Sequence, residues 1–200
     1  MSNSIAELKE SPFILATGTN TTESHPVIAL KVKKAVSNGS KLVVIDPRRI
    51  ELANFSHRYM QIKIGTDIAL YNAMANVIIN EELYDKEYVA ERTGGFEELK
   101  HFIREYTPQY AEQITGIPSE DIIATAREYA GADSASIIYT VGITEHSCGV
   151  HNVQSLTNLA LLTGNFGVPG GGVNPLRGQN NVQGAGDAGC LPNNLPGYQR

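Results

Sequence analysis

Arg177 is a lone cation in a long uncharged stretch. It lies in the run Gly172-Val-Asn-Pro-Leu-Arg177-Gly-Gln-Asn-Asn-Val-Gln183-Gly-Ala-Gly186, and the nearest preceding Asp, Glu, Lys or Arg is Glu145. A guanidinium is a planar five-donor fork that matches a carboxylate or phosphate at two points. The surrounding glycines let backbone approach a ligand closely, and Asn and Gln, Gln179 among them, supply both donors and acceptors. Such a surface suits something small, polar and anionic.

Four other short segments carry residues suited to a nucleotide. Gly18-Thr-Asn20 combines close backbone approach with side-chain donors ahead of a helix N-terminus, where anions are favoured; Glu23 and Ser24 lie on the same loop. Asp46 is placed as a sugar-hydroxyl acceptor would be, with Arg48 beside it as a stacking or phosphate partner. Gly65-Thr-Asp67 offers Asp67 as an acceptor for a base edge, and Gly142-Ile-Thr144 adds a further glycine turn. Each also has a plainer reading as a loop, a turn or a helix cap, because caps and turns use the same residue types. Four together favour a ligand site. The first loop has one glycine where a dinucleotide fingerprint has GxGxxG, so free NAD is not expected there.

Two features read as structural. His25 precedes Pro26 and is expected to be a helix cap or a packed residue. His146, Cys148 and His151 form an HxCxxH pattern without a fourth partner, so no metal site is expected. Cys148 and Cys190 form no CxxC and are expected to be reduced thiols.

The elements that must position these residues can be read from apolar runs. Phe13–Gly18, Lys41–Ile45, Tyr59–Ile64 and Ser136–Val141 read as buried strands. Pro26 opens a helix that stops at Asn38-Gly39. Further helices are expected over about 68–80, over Glu120–Tyr129 with Ser119 as cap, and over about 150–162. Strands with short loops at their carboxyl ends, separated by helices, form βαβ units. The expected fold is α/β: a three-layer, Rossmann-like domain with a mainly parallel sheet and helices on both faces. Ligands of such sheets bind outside the carboxyl ends of the strands. Nine of the 19 glycines fall between Gly164 and Gly189. The dinucleotide-binding domain is therefore expected to span 1–170. Residues 171–200 are expected to form a poorly anchored Gly/Asn-rich active-site segment leading toward another domain.

Composition narrows the partners. With 200 residues, 42% hydrophobic, the chain can bury a substantial core. A net charge of −5 and the lack of a basic stripe argue against nucleic acid. No apolar run approaches the roughly 20 residues of a membrane span, and the first residues do not read as a signal peptide; a cytoplasmic location is expected.

The arginine run resembles the corresponding segment of the large subunit of molybdenum- or tungsten-dependent formate dehydrogenases, in the bis-molybdopterin guanine dinucleotide oxidoreductase family. The resemblance extends over Thr19-Asn-Thr-Thr-Glu-Ser-His-Pro26, Val44-Ile-Asp-Pro-Arg-Arg49, Gly65-Thr-Asp67, Asn80-Glu-Glu-Leu-Tyr-Asp85, Arg92-Thr-Gly-Gly-Phe-Glu97 and Leu161-Leu-Thr-Gly-Asn-Phe-Gly167. These motifs are weak singly and specific together. The resemblance implies that Gly18, Asn20, Glu23, Ser24, Asp46, Arg48, Gly65 and Asp67 contact the guanosine and pyrophosphate of one pterin dinucleotide. Gly142 and Gln179 would lie nearer the pterin. Arg177 would be the catalytic arginine that orients formate beside molybdenum or tungsten. It also implies a 4Fe-4S cluster, a cysteine or selenocysteine metal ligand and a second dinucleotide site, all outside these residues, and an electron-transfer subunit as partner. The chain is thus expected to be the central part of a larger catalytic subunit oxidising formate to carbon dioxide. Nitrate or dimethyl sulfoxide reductases, and the non-catalytic large iron–sulfur subunits of NADH dehydrogenases, are the alternatives.

Overall fold

Strands buried on both faces read as continuous apolar runs, because helices cover both sides of a parallel sheet. The computed structural model describes residues 1–195 and 197–199, and in it β1 (Phe13–Thr17), β2 (Lys41–Ile45) and β4 (Ala135–Tyr139) form the middle of such a sheet. β3 (Arg58–Met60) and β5 (Gly172–Pro175) flank them. The order is β3-β2-β1-β4-β5 and every pairing is parallel. The chain builds outward from β1 to β3, then returns to the other side of β1. That reversal opens a crevice at the carboxyl ends of β1 and β4.

The helices are α1 (Thr21–Ser24), α2 (Pro26–Ser37), α3 (Asp67–Asn80), α4 (Lys86–Arg92) and α5 (Phe96–Ile103), then α6 (Pro108–Thr115), α7 (Ser119–Ala130), α8 (Val141–Thr144), α9 (Gly149–Leu162) and α10 (Val182–Asp187). Alternate strand residues enter two cores. Phe13, Leu15, Val43, Ile45 and Ile137 pack with α3, α7 and α9, while Ile14, Ala16, Leu42, Val44 and Ile138 pack with Val32 and Ala35 of α2. Helices therefore cover both faces, as expected for the fold class. In α3, 12 of 14 residues are buried, because α5, α6 and α7 pack over it as an outer shell. Among the described residues no helix is long and apolar enough to cross a membrane.

Three expectations are corrected. The third strand ends at Met60, not Ile64: Lys63 N–H turns to the carbonyl of Thr115 at 3.0 Å and leaves the sheet. Ser119 is the first residue of α7 and makes no cap; its N–H donates to Glu112 Oε2 at 3.1 Å. The loosening expected after Gly170 does not begin there, because residues 172–175 form β5 against β4. The anchor comes from the N-terminus. Ser2 N–H donates to Val173 O at 3.1 Å, Val173 N–H donates to Ser2 Oγ at 2.9 Å, and Asn3 Nδ2 donates to Val168 O at 2.8 Å. Gly172, at φ +93°, leaves the space that the Ser2 and Asn3 side chains fill. From Arg177 to Gln183 the chain is exposed.

Candidate functional site

The ends of β1 and β4 touch through two glycines. Gly18 adopts φ +54°, its N–H donates to Ile45 O at 3.1 Å, and its carbonyl accepts from Thr140 Oγ1 at 2.7 Å. A Cβ on Gly142 would lie 2.6 Å from that same Gly18 oxygen. Each glycine is thus required by the other, before any ligand is considered. Their contact forms the floor of a crevice of about 350 Å³.

Eight of the residues singled out by sequence line this one crevice: Gly18, Asn20, Ser24, Asp46, Arg48, Gly65, Asp67 and Gly142. Asp46 follows β2 directly, and its Oδ1 accepts from Arg48 N–H at 2.8 Å. Asp67 opens α3 and is 6% exposed, and its carboxylate accepts no hydrogen bond from another side chain among the described residues. Burial raises the Asp46 carboxyl above the usual carboxylate range, opposed by the backbone N–H and the charge of Arg48. Burial also raises Asp67; its own N–H and His146 oppose the shift, and the charge of Asp46 adds to it. Beneath them the fully buried Tyr71 hydroxyl lies 2.5 Å from Thr17 Oγ1 and is raised well above the usual phenol value, by burial and then by Asp67. The crevice therefore holds two desolvated acceptors in need of donors, a cation at the rim, and glycine backbone at the floor. A nucleotide supplies all the complements: N–H groups on a base edge, sugar hydroxyls and phosphates.

The unmet acceptor has a consequence for stability. A carboxyl raised by folding binds protons on folding, so its burial penalty is absent below the ordinary value and grows as pH rises through the raised one. The ligand-free Asp67→Asn chain is expected to melt roughly 2–4 °C above wild type near neutral pH, or about 1 kcal/mol. The gain stays small because the carboxyl opens on a wet crevice. Thermal unfolding across a pH series should show the gap closing toward about pH 4; a variant melting below wild type at neutral pH would contradict the account.

Arg177 and Gln179 lie outside this crevice. They line two hollows at the end of β5, one of about 150 Å³ with Tyr139 and Thr140, the other of about 550 Å³ with His25 and Ile28. Thr140 and Val141 wall both the smaller hollow and the main crevice, and Ser24 walls the larger hollow and that crevice. The carboxyl edge is thus continuous from Asp67 to Arg177. Glu23 is exposed on α1 and is not among the lining residues.

Sequence reading missed Pro47, Ile62, Ile64, Thr140 and His146, which also line the crevice. Ile64 is 78% exposed, and an isoleucine so placed offers an apolar face to a flat ring. Its signal was the apolar alternation continuing past the end of β3. His146 bonds to Gly142 O at 2.9 Å, and among the described residues no three His, Cys, Asp or Glu side chains gather as a metal site. Cys148 and Cys190 are both free thiols.

The model of the molybdopterin oxidoreductase family matches residues 1–199. Over all 200 residues the chain is 54% identical to the F420-dependent formate dehydrogenase subunit alpha of Methanocaldococcus jannaschii, spanning 30% of that protein. Over 199 residues it is 50% identical to formate dehydrogenase H of Escherichia coli strain K12, spanning 28% of it. Among solved structures, acetylene hydratase from Pelobacter acetylenicus superposes with a TM-score of 0.71 at 33% identity, over 82% of this chain and 24% of that one.

Proposed function

Because the chain belongs to the molybdopterin oxidoreductase family, we propose that it forms the domain that seats one pterin guanine dinucleotide in the catalytic subunit of a formate dehydrogenase. One observation carries the reading: a single carboxyl-edge crevice gathers Asn20, Asp46, Asp67 and the paired glycines, with Arg177 on the neighbouring strand end. The residues fit the group. Asp67, a buried carboxylate lacking a side-chain partner, accepts from the N–H groups of guanine. Asp46 accepts from the ribose hydroxyls, and Arg48 and the backbone around Gly18 and Asn20 face the phosphates. Gly142 and Gln179 carry the site on toward the pterin. The identity of 54% and 50% to formate dehydrogenases, over alignments that span this chain from end to end, favours formate over other substrates of the family. The fold by itself does not select the chemistry, since the solved neighbour is named a hydratase.

The chemistry that a molybdenum or tungsten pterin centre supplies when bound is acceptance of the two electrons and the hydrogen that formate gives up on becoming carbon dioxide. The task of this chain is orientation. Arg177 grips the formate carboxylate at two points, and its positive charge offsets the cost of bringing an anion into a site partly closed to water. A 4Fe-4S cluster, held by residues other than those of this chain, would carry the electrons away.

The test is cofactor retention in the full-length protein. Hydrogen bonds to charged acceptors contribute about 1.5–3 kcal/mol each, so Asp46→Ala combined with Asp67→Ala should weaken retention by about 100-fold or more. Guanine nucleotide released by acid hydrolysis, and metal content, should both fall in the double variant and stay at wild-type levels in Arg177→Ala. Full guanine and metal content in the double variant would remove the crevice from this role.

A further inference from the structure

His25 and Arg177 lie far apart in sequence, yet His25 Nε2 sits 2.6 Å from the carbonyl oxygen of Arg177. A carbonyl oxygen only accepts, so Nε2 carries the proton and donates. The histidine itself is firmly held. Its N–H donates to Thr21 O at 2.9 Å and its carbonyl accepts from the N–H groups of Ile28 and Ala29, each at 2.9 Å. Pro26 fixes the next backbone angle. His25 Nδ1 is buried without a hydrogen-bond partner, while the residue as a whole is half-buried beside the larger hollow. It stands at the N-cap position of α2, as the cap reading has it, but its side chain makes no cap hydrogen bond, which leaves the bond to Arg177 as the ring's one polar contact among the described residues.

The segment it reaches is otherwise weakly tied. Leu176 N–H donates to Tyr139 O at 2.8 Å, the last sheet-edge bond before the arginine. From Arg177 to Asn181 the other hydrogen bonds among the described residues are local. Arg177 Nε donates to Gln183 Oε1 at 3.2 Å. Val182 N–H reaches Gln179 O at 3.4 Å, and Ala185 N–H reaches Asn181 O at 3.0 Å. Among the described residues, His25 is therefore the one hydrogen-bonded strut from the body of the domain to residues 177–181. The glycine at 178 leaves that segment free to rotate without it.

We propose that His25 is a positioning residue for Arg177, fixing the arginine backbone so that the guanidinium meets a carboxylate in one orientation. The functional half of this assignment rests on Arg177 as the formate-binding residue; the strut itself does not. Gln carries its amide nitrogen at the reach of Nε2, whereas Asn carries it only at the reach of Nδ1, so the two separate the bond from the volume of the side chain.

Two measurements test it. Hydrogen–deuterium exchange of the 200-residue chain should show faster exchange over 176–183 in His25→Asn, unchanged exchange over β4, and near wild-type exchange in His25→Gln. In the full-length protein, His25→Asn should raise the KM for formate by roughly tenfold, more than it lowers kcat, since a small misplacement of an orienting group can cost as much as a hundredfold. Metal and pterin content should not change, and Gln should restore the KM. Unchanged exchange over 176–183 in His25→Asn would overturn the strut whatever the kinetics. Faster exchange with an unaltered KM would overturn the positioning role. Wild-type turnover in Arg177→Ala would overturn the reading of Arg177 itself, and with it the purpose assigned to the strut.

Discussion

Arg177→Lys in the full-length protein is expected to lower kcat/KM for formate by about 100-fold or more while leaving metal and pterin content near wild type. Lysine keeps the charge and loses the planar fork, and orientation errors at a reacting centre are worth that much. The structure shows how the fork is aimed. Nε of Arg177 donates to Gln183 Oε1 at 3.2 Å, and Gln183 Nε2 in turn donates to Asp187 Oδ1 at 2.9 Å. This chain holds the guanidinium by its inner nitrogen, and the two terminal nitrogens have no hydrogen-bond partner among the described residues. A lysine ammonium can replace neither the held edge nor the paired outer donors. Arg177→Ala should be worse still, because an anion entering the site would lose its nearby cation. Steady-state formate kinetics beside metal and pterin analysis decides the matter. Wild-type turnover with full metal loading in Arg177→Ala would take Arg177 out of catalysis, and loss of the metal would make it a cofactor anchor.

A large expected effect on the fold and the crevice together comes from Gly142→Ala. The new Cβ would sit 2.6 Å from Gly18 O and 2.8 Å from Gly18 Cα, so the obstruction is backbone on the neighbouring strand and no side chain can swing aside. Overpacking of this kind costs about 1–3 kcal/mol, which for a chain of this length lowers Tm by roughly 2–4 °C per kcal/mol. Relief requires β1 and β4 to part at their carboxyl ends, the floor of the crevice, so cofactor content of the full-length variant should fall with the Tm. Gly94→Ala is the control: no neighbour lies within 4 Å and φ is not in the left-handed region, so its stability should stay within about 0.5 kcal/mol of wild type. Equal melting of the two variants would show that the glycine contact is not needed.

Local sequence determined the elements whose stabilisation is local in origin. Phe13–Thr17, Lys41–Ile45 and Ala135–Tyr139 are apolar runs with turn residues at their ends, and a strand buried on both faces has that signature wherever it sits in the sheet. Pro26 and Asn38-Gly39 likewise mark α2 through backbone preferences that act within a turn. Because parallel strands present their carboxyl ends on one edge, the loops holding Asn20, Asp46 and Asp67 could be assigned to one crevice before any coordinates. Tertiary structure decided what depends on partners distant in the chain. The segment 172–175, which opens on the last of three consecutive glycines, is a strand because Ser2 and Asn3 seal one side of it and β4 pairs with the other, and neither partner is encoded nearby. The same holds for β3, cut short when Lys63 finds Thr115. Gly18 and Gly142 read as glycines for a ligand, yet each is first a glycine for the other. His25 reads as a helix cap or a packed residue, and to its N-cap position the fold adds a bond from its ring to Arg177. In each case a hydrogen bond or steric contact between residues far apart in the chain outweighs local preference, and such a contact leaves no periodicity for a sequence to display.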